Sequence, residues 1–137
     1  MRRVLVVDDE PHILRVLKTS LESHGYRIDV ARDGAIALEL LRHDRYDAVV
    51  TDVQMPNMSG QELCERMLAE YPAPLPYTLL VTASTDDALR EWVAARTGIE
   101  FIEKPVSLRR LRQHLDARLE QTGEADDAAG GRHPGEG

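Results

Sequence analysis

The chain has 137 residues, of which 42% are hydrophobic and 30% charged, and this composition is ordinary for one globular domain with one sizeable core. Its formal net charge of -7 argues against bulk affinity for nucleic acid or an anionic membrane, because polyanions are bound by summed positive charge. The start of the chain is too short in apolar residues for a signal peptide, and the single cysteine, Cys64, cannot form an internal disulfide, so we expect a cytoplasmic protein.

The first elements are predicted from the pattern of apolar residues. The run "RVLVV", residues 3–7, is compact and largely β-branched, which is typical of a strand buried on both faces of a parallel sheet. The segment "PHILRVLKTSLESHGY" begins with Pro11, which suits the first turn of a helix, and its leucines recur at helical spacing up to Gly25. The first unit is therefore a strand followed by a helix.

The same alternation continues along the chain. Further strands are predicted at "RIDVA", "YDAVVTD", "YTLLVTA" and "GIEFIEK". Further helices are predicted at "DGAIALELLRHD", "SGQELCERMLAEY", "DDALREWVAAR" and "SLRRLRQHLDARLE". Five strands that alternate with five helices favour a doubly wound α/β domain with a parallel sheet, since each right-handed crossover uses a helix.

One domain is predicted to span residues 1–120. The remaining residues, 121–137, are rich in glycine, alanine and acids and have no apolar periodicity. Such a segment buries too little apolar surface to offset the entropy of ordering it, so we expect a disordered tail.

Polar side chains stand at the ends of the predicted strands, and the carboxyl ends of parallel strands meet at the edge where ligands bind. These residues are Asp8 and Asp9 at the end of the first strand, Asp52 at the end of the third, Thr82 at the end of the fourth and Lys104 at the end of the fifth. Three carboxylates in one pocket suit a hard divalent ion, and Mg²⁺ takes one or two carboxylates together with water and phosphate oxygens. An ammonium and a hydroxyl beside them are the groups expected around a phosphoryl unit. Asp52 is the best candidate for a nucleophile that accepts it.

The sequence resembles the receiver domain of two-component response regulators over about residues 2–119, in the stand-alone form similar to the chemotaxis response regulator. The resemblance is carried by "VLVVDDE", "ARDGAIALELL", "DAVVTDVQMPNMSG", "LLVTAS" and "FIEKPV", in the order and spacing of that family. It implies a flavodoxin-like sheet with strand order 2-1-3-4-5.

The resemblance also implies roles for individual residues. Asp52 would accept a phosphoryl group from the phosphohistidine of a sensor histidine kinase or a histidine phosphotransfer protein. The implied magnesium ligands are Asp8, Asp9, Asp52 and the backbone carbonyl of Gln54. The implied switch residues are Thr82, Lys104 and Phe101, and the bond between Lys104 and Pro105 is expected to be cis.

The expected function is a phosphorylation switch rather than an enzyme, although the domain would assist its own phosphorylation and dephosphorylation. Phosphorylation would change the surface of helix four, strand five and helix five. The chain is expected to dock a separate protein there, as a monomer or a phosphorylation-promoted dimer, or to pass the phosphoryl group on in a relay. Neither nucleic acid nor membrane is expected as a direct partner.

Two other functions fit part of the pattern. A haloacid-dehalogenase-like phosphohydrolase also uses an aspartate, Mg²⁺, a hydroxyl and a lysine, but it needs a second acid two residues after the nucleophile, where this chain has Gln54. A phosphorylation-independent interaction module is expected to lack one of Asp52, Thr82 and Lys104, and all three are present. Taken singly, each of these residues is more often a surface or strand residue, so the interpretation depends on the whole set.

Overall fold

A computed structural model describes residues 1–71 and 75–130, with the backbone alone for residues 120–130. In chain order its elements are β1 (Arg3–Val7), α1 (Pro11–Glu22), β2 (Arg27–Ala31), α2 (Gly34–His43), β3 (Ala48–Asp52), α3 (Gly60–Glu70), β4 (Tyr77–Thr82), α4 (Asp87–Ala94), β5 (Ile99–Glu103) and α5 (Leu108–Gly130). The whole sheet and helices α1–α4 lie in one compact unit, Met1–Val106, and a second unit that starts at Ser107 contains α5.

The strands form one parallel sheet in the order β2-β1-β3-β4-β5. This confirms the predicted doubly wound, flavodoxin-like fold. The chain moves outward from β1 to β2 and then crosses back to β3, so right-handed crossovers put α1 and α2 on opposite faces of the sheet. The direction of winding therefore changes between β1 and β3, which is where such sheets bind ligands.

The central strands are buried because both of their faces are covered. Every residue of β3 is buried, as are the last four residues of β1. On the face covered by α2 and α3, Leu5 and Val49 pack in one cluster with Leu38, Leu63 and Met67. Each such side chain stabilises the fold by about 1.5–3 kcal/mol relative to an exposed one, and this burial fixes the strand ends that carry the polar residues.

Several helices begin at capping residues that the sequence supplies. Asp33 accepts a hydrogen bond from the backbone N–H of Ile36 at 2.8 Å at the start of α2. At the start of α3, Ser59 and Glu62 form a reciprocal capping box. These side chains satisfy helix N–H groups that have no partner within the helix, and a cap of this kind is worth about 1 kcal/mol.

Helix α5 extends beyond the end of the domain predicted from the sequence. Its buried leucines are Leu111, Leu115 and Leu119, whereas its backbone stays helical to Gly130. Glutamate, glutamine and alanine have high helix propensity, so a helix here does not require an apolar stripe. The disordered tail stays a prediction, and residues 131–137 lie outside the described residues. Within the described part of the chain, no helix combines the length and apolar character needed to cross a membrane.

Candidate functional site

The register of the two central strands brings two acids side by side. Val7 of β1 pairs with Thr51 of β3. Asp8 and Asp52, the next residue in each case, therefore lie at the same edge of the sheet. The backbone N–H of Asp8 also donates a hydrogen bond to the carbonyl oxygen of Ala31 at 3.1 Å, which extends the alignment to the end of β2. The acids are thus positioned by backbone pairing at the change of winding direction.

Asp8, Asp9 and Asp52 form a compact group of carboxylates. One oxygen from each lies within 4.8 Å of the other two. Asp8 and Asp52 are only 8% and 6% exposed, while Asp9 is exposed. A donor set made only of carboxylate oxygens, and open to solvent on one side, fits a hard divalent cation such as Mg²⁺.

Burial and, to a smaller extent, the neighbouring acids shift the pKa of Asp8 above its usual value. Burial raises this pKa, and the nearby charges of Asp52 and Asp9 raise it further. A hydrogen bond from the backbone N–H of Glu10 to Asp8 Oδ1, at 2.9 Å, and the charge of Lys104 act in the opposite direction but do not cancel the increase. A bound cation would relieve both the desolvation and the repulsion.

Asp52 is held by one contact at each of its carboxylate oxygens. Lys104 Nζ lies 3.3 Å from Asp52 Oδ2, and the backbone N–H of Gln54 donates to Asp52 Oδ1 at 3.2 Å. The backbone N–H of Lys104 donates to the carbonyl oxygen of Thr82 at 2.7 Å, which fixes the start of the lysine side chain. The bond between Lys104 and Pro105 is cis, as the resemblance implies.

The hydroxyl group of Thr82 is fully engaged within its surroundings. Thr82 is completely buried. Its hydroxyl donates to the carbonyl oxygen of Ser84 at 2.8 Å and accepts from the Ser84 N–H at 3.1 Å. It also accepts from Gln54 Nε2 at 3.3 Å. One donated and two accepted hydrogen bonds use the whole capacity of a hydroxyl group.

Phe101 lies in an apolar cluster rather than among the carboxylates. Its half-buried ring packs against a cluster that includes Leu80 and Leu89, and the guanidinium group of Arg90 lies 5.9 Å from the ring centroid. This distance is at the outer limit of a cation–π contact. The ring of Phe101 therefore packs against apolar side chains and lies near the charge of Arg90.

Two features of the site could not be read from the sequence. A Cβ atom at Gly60 would lie 2.3 Å from the carbonyl oxygen of Asp52, so α3 can begin this close to the site only with glycine. The side chain of Gln54 contacts Thr82 and the backbone of Ala83. The "SG" pair indicated only the start of a helix, and no sequence signal indicates the contacts of the glutamine.

Fold and site together define a doubly wound α/β domain with an acidic pocket where the winding direction changes. The family model of the response regulator receiver domain matches residues 4–116, and the chain belongs to this family. Its role is accordingly that of a receiver domain in two-component signalling.

Comparisons with individual proteins agree with this assignment. Response regulator MprA of Mycolicibacterium vanbaalenii is 38% identical over 129 residues, which cover 93% of this chain and 54% of the relative. The probable transcriptional regulatory protein TcrX of Mycobacterium tuberculosis is 38% identical over 122 residues, which cover 88% of this chain and 50% of the relative. The chain thus spans about half the length of these curated relatives.

Solved structures match the fold over most of their own length. The chemotaxis response regulator CheY4 of Vibrio cholerae has a TM-score of 0.77 at 27% identity, covering 85% of this chain and 98% of that one. The response regulator TrrA of Thermotoga maritima, solved in complex with Mg(2+)-BeF, has a TM-score of 0.72 at 32% identity, with the same two coverages.

Proposed function

We propose that this chain is a switch activated by phosphorylation of Asp52, with the phosphoryl group supplied by the phosphohistidine of a sensor kinase or a phosphotransfer protein. The main support for the proposal is the environment of the Asp52 side chain. It is buried beside Asp8 and Asp9, with Lys104 at one of its oxygens and the Gln54 N–H at the other. A carboxylate that is oriented in this way can act as a nucleophile towards phosphorus.

The proposed transfer exchanges one bond for another. A bond forms between a carboxylate oxygen of Asp52 and phosphorus while the phosphorus–nitrogen bond of the donor breaks. The imidazole keeps the electron pair of the broken bond and leaves neutral, because its second nitrogen is protonated. Lys104, 3.3 Å from Asp52 Oδ2, offsets part of the negative charge that remains on the protein.

Asp8, Asp9 and Asp52, with the backbone carbonyl of Gln54, are the proposed magnesium ligands. When bound, the ion supplies positive charge to the crowded carboxylates and to the phosphoryl oxygens. The raised pKa of Asp8 and the all-oxygen donor set support this assignment.

The output of the switch follows from the residues around Asp52. Thr82 would turn its hydroxyl group to the phosphoryl oxygens, and Phe101 would move inward with it. The surface formed by α4, β5 and α5 would then change and dock a separate protein, as a monomer or as a phosphorylation-promoted dimer. Transfer of the phosphoryl group to a histidine phosphotransfer protein is the other proposed output.

Two parts of the proposal concern the setting in the cell. We expect a cytoplasmic protein that has neither a membrane nor nucleic acid as a direct partner. TcrX is named a probable transcriptional regulatory protein, and the chain spans about half its length, so the expectation about nucleic acid stays a prediction.

A phosphohydrolase is less well supported. The residue two positions after the nucleophile is Gln54, whose amide cannot act as a general acid or base and is hydrogen-bonded to Thr82 and Ala83. For an interaction module independent of phosphorylation, no contact among the described residues gives specific support.

The direct test is intact-mass spectrometry after incubation with Mg²⁺ and acetyl phosphate. The expected result is a gain of one phosphate that requires Mg²⁺ and is lost in Asp52→Asn. Asp44→Asn is the matched control, because Asp44 is a more exposed acid that is hydrogen-bonded to Arg3. A phosphate adduct that persists in Asp52→Asn would overturn the assignment of the phosphorylated residue.

A further inference from the structure

The side chain of Gln54 joins the ends of two neighbouring strands. Its backbone N–H is hydrogen-bonded to Asp52, at the end of β3. Its amide nitrogen donates to Thr82 Oγ1 at 3.3 Å, and its amide oxygen accepts from the backbone N–H of Ala83 at 3.4 Å. One exposed glutamine therefore contacts the nucleophile through its backbone and the following strand through its side chain.

These contacts oppose the movement that the proposed switch requires. The Thr82 hydroxyl donates to Ser84, so it must break that bond before it can donate to a phosphoryl oxygen. It must also leave the Gln54 amide, which holds the adjacent N–H of Ala83 at the same time. One amide group thus contacts both donors at the end of β4, in addition to the two hydrogen bonds between Thr82 and Ser84.

We propose that the Gln54 side chain is a latch that stabilises the unphosphorylated state by holding Thr82 and the Ala83 N–H. This inference rests on the proposed function, since a latch matters only if Thr82 moves when Asp52 is phosphorylated. Gln54 acts here as a positioning residue, through Thr82 and Ala83. A ligand that favours the active state must break the latch, so its observed affinity is reduced by the free energy of these contacts.

The test compares beryllium fluoride binding in the wild type and in Gln54→Met, which keeps the length of the side chain but removes the amide. Binding is followed at saturating Mg²⁺ by the fluorescence of Trp92, the single tryptophan, which lies in α4. Because both hydrogen bonds are long, and the one from Ala83 is exposed, the expected gain in affinity is modest, about threefold. Gln61→Met, the same change in the first turn of α3, is the matched control and should give no gain.

A double-mutant cycle identifies the route of the effect. In a Thr82→Val background, which keeps the shape of the side chain but removes its hydroxyl group, the gain from Gln54→Met should become smaller. Equal affinity in the wild type and Gln54→Met would overturn the latch. A gain of the same size in both backgrounds would also overturn it, because the glutamine would then act independently of Thr82.

A second measurement addresses the latch without any phosphoryl group. Hydrogen exchange at the Ala83 amide, measured in the protein without Mg²⁺ or beryllium fluoride, should be faster in Gln54→Met than in the wild type. Unchanged exchange would contradict the contact itself. By contrast, wild-type protein that binds no beryllium fluoride and gains no phosphate would contradict the proposed function, even if the exchange rate changes as expected.

Discussion

Acidic residues gather at two places in the sheet, around Arg3 at the start of β1 and around Asp52 at the end of β3. Around Arg3, the guanidinium group is 2.8 Å from Asp29 Oδ2 and 3.3 Å from Asp44 Oδ1. The backbone N–H of Arg3 donates to Asp47 Oδ2 at 2.8 Å. Around Asp52, three carboxylates lie close together, and Lys104 Nζ contacts one of them, Asp52 Oδ2, at 3.3 Å.

One acid in each group, Asp29 near Arg3 and Asp8 near Asp52, has a shifted pKa, and the two pKa values are shifted in opposite directions. Burial by itself would raise the pKa of Asp29, but hydrogen bonds from Tyr46 and Arg3, together with the charges of Arg3 and Arg27, lower it. The pKa of Asp8 is raised by burial and by its acidic neighbours. The same residue type is thus stabilised as an anion at one place and destabilised at the other. We infer that the acids around Arg3 contribute to the stability of the fold, whereas the acids around Asp52 form a site for a ligand.

Gly60→Ala should give the largest effect, because it changes the close contact of α3 with the acidic pocket. The added methyl group would meet the Asp52 carbonyl oxygen at 2.3 Å, and this clash outweighs the higher helix propensity of alanine. We expect a loss of about 2 kcal/mol in the free energy of unfolding, measured by urea titration, and slower phosphate gain by mass spectrometry.

Gly98→Ala is the control for this change. Gly98 also has a special backbone, with φ of 85°, but an added Cβ meets no described atom within 4 Å. This variant should lose about 1 kcal/mol through backbone strain and should gain phosphate at the wild-type rate. If both variants were slowed equally, the close approach of Gly60 would not explain the effect.

Tyr46→Phe tests the group around Arg3. The buried Tyr46 hydroxyl donates to Asp29 Oδ2 at 2.7 Å, and its loss leaves a half-buried carboxylate with one partner fewer. We expect a loss of about 1–2 kcal/mol in the free energy of unfolding. Because the change lies outside the acidic pocket, phosphate gain should remain at the wild-type level. If Tyr46→Phe were as stable as the wild type, the group around Arg3 would not differ from the acidic pocket in its contribution to stability.

Asp8→Asn should raise the free energy of unfolding, whereas Tyr46→Phe lowers it. Without Mg²⁺, this substitution removes a buried charge from a crowded group and keeps the oxygen that accepts from Glu10, so we expect a stability gain of about 1 kcal/mol. Added Mg²⁺ should stabilise the wild type by ligand binding and the variant much less. Thermal unfolding with and without Mg²⁺ checks both statements, and a variant less stable than metal-free wild type would refute the first.

The order of elements and the acidic pocket could be predicted because each depends on local patterns and on one topological rule. The apolar run "YDAVVTD" predicts the strand that the structure has at Ala48–Asp52. Once the strands are parallel, their carboxyl ends meet at one edge, and the acids at the ends of β1 and β3 must be neighbours. The composition of the pocket therefore follows from the residues at the ends of the predicted strands.

The contacts of individual side chains could not be predicted in the same way. Arg3 meets Asp29 and Asp44, which are 26 and 41 residues away, and no periodicity links these positions. The Gln54 amide reaches Thr82 across 28 residues through a loop whose path the sequence does not specify. Likewise, the end of α5 depends on helix propensity rather than on an apolar stripe, so the sequence indicates a shorter helix than the structure contains.

The pH dependence of these variants gives the smallest effect and the sharpest comparison. The lowered pKa of Asp29 means that its contribution to stability is present above the unfolded value, 3.8, and is lost as pH falls through the lower folded value. The stability deficit of Tyr46→Phe should therefore shrink only below about pH 4. The raised pKa of Asp8 has the opposite effect on stability. Ionised Asp8 destabilises the folded state fully above the raised folded pKa, and this destabilisation disappears as pH falls towards 3.8.

Urea titrations from about pH 7 to about pH 3 measure the pH range over which each stability difference disappears. They are made without Mg²⁺ on the wild type and on both variants. The advantage of Asp8→Asn should disappear first on acidification, while the deficit of Tyr46→Phe is still complete. Each change should be no more than about 1 kcal/mol, since the advantage of Asp8→Asn is itself about that size and Asp29 is partly solvated. If the two differences disappeared over the same pH range, the acids at the two places would be electrostatically alike. The pocket around Asp52 would then have no greater need of a cation than the group around Arg3.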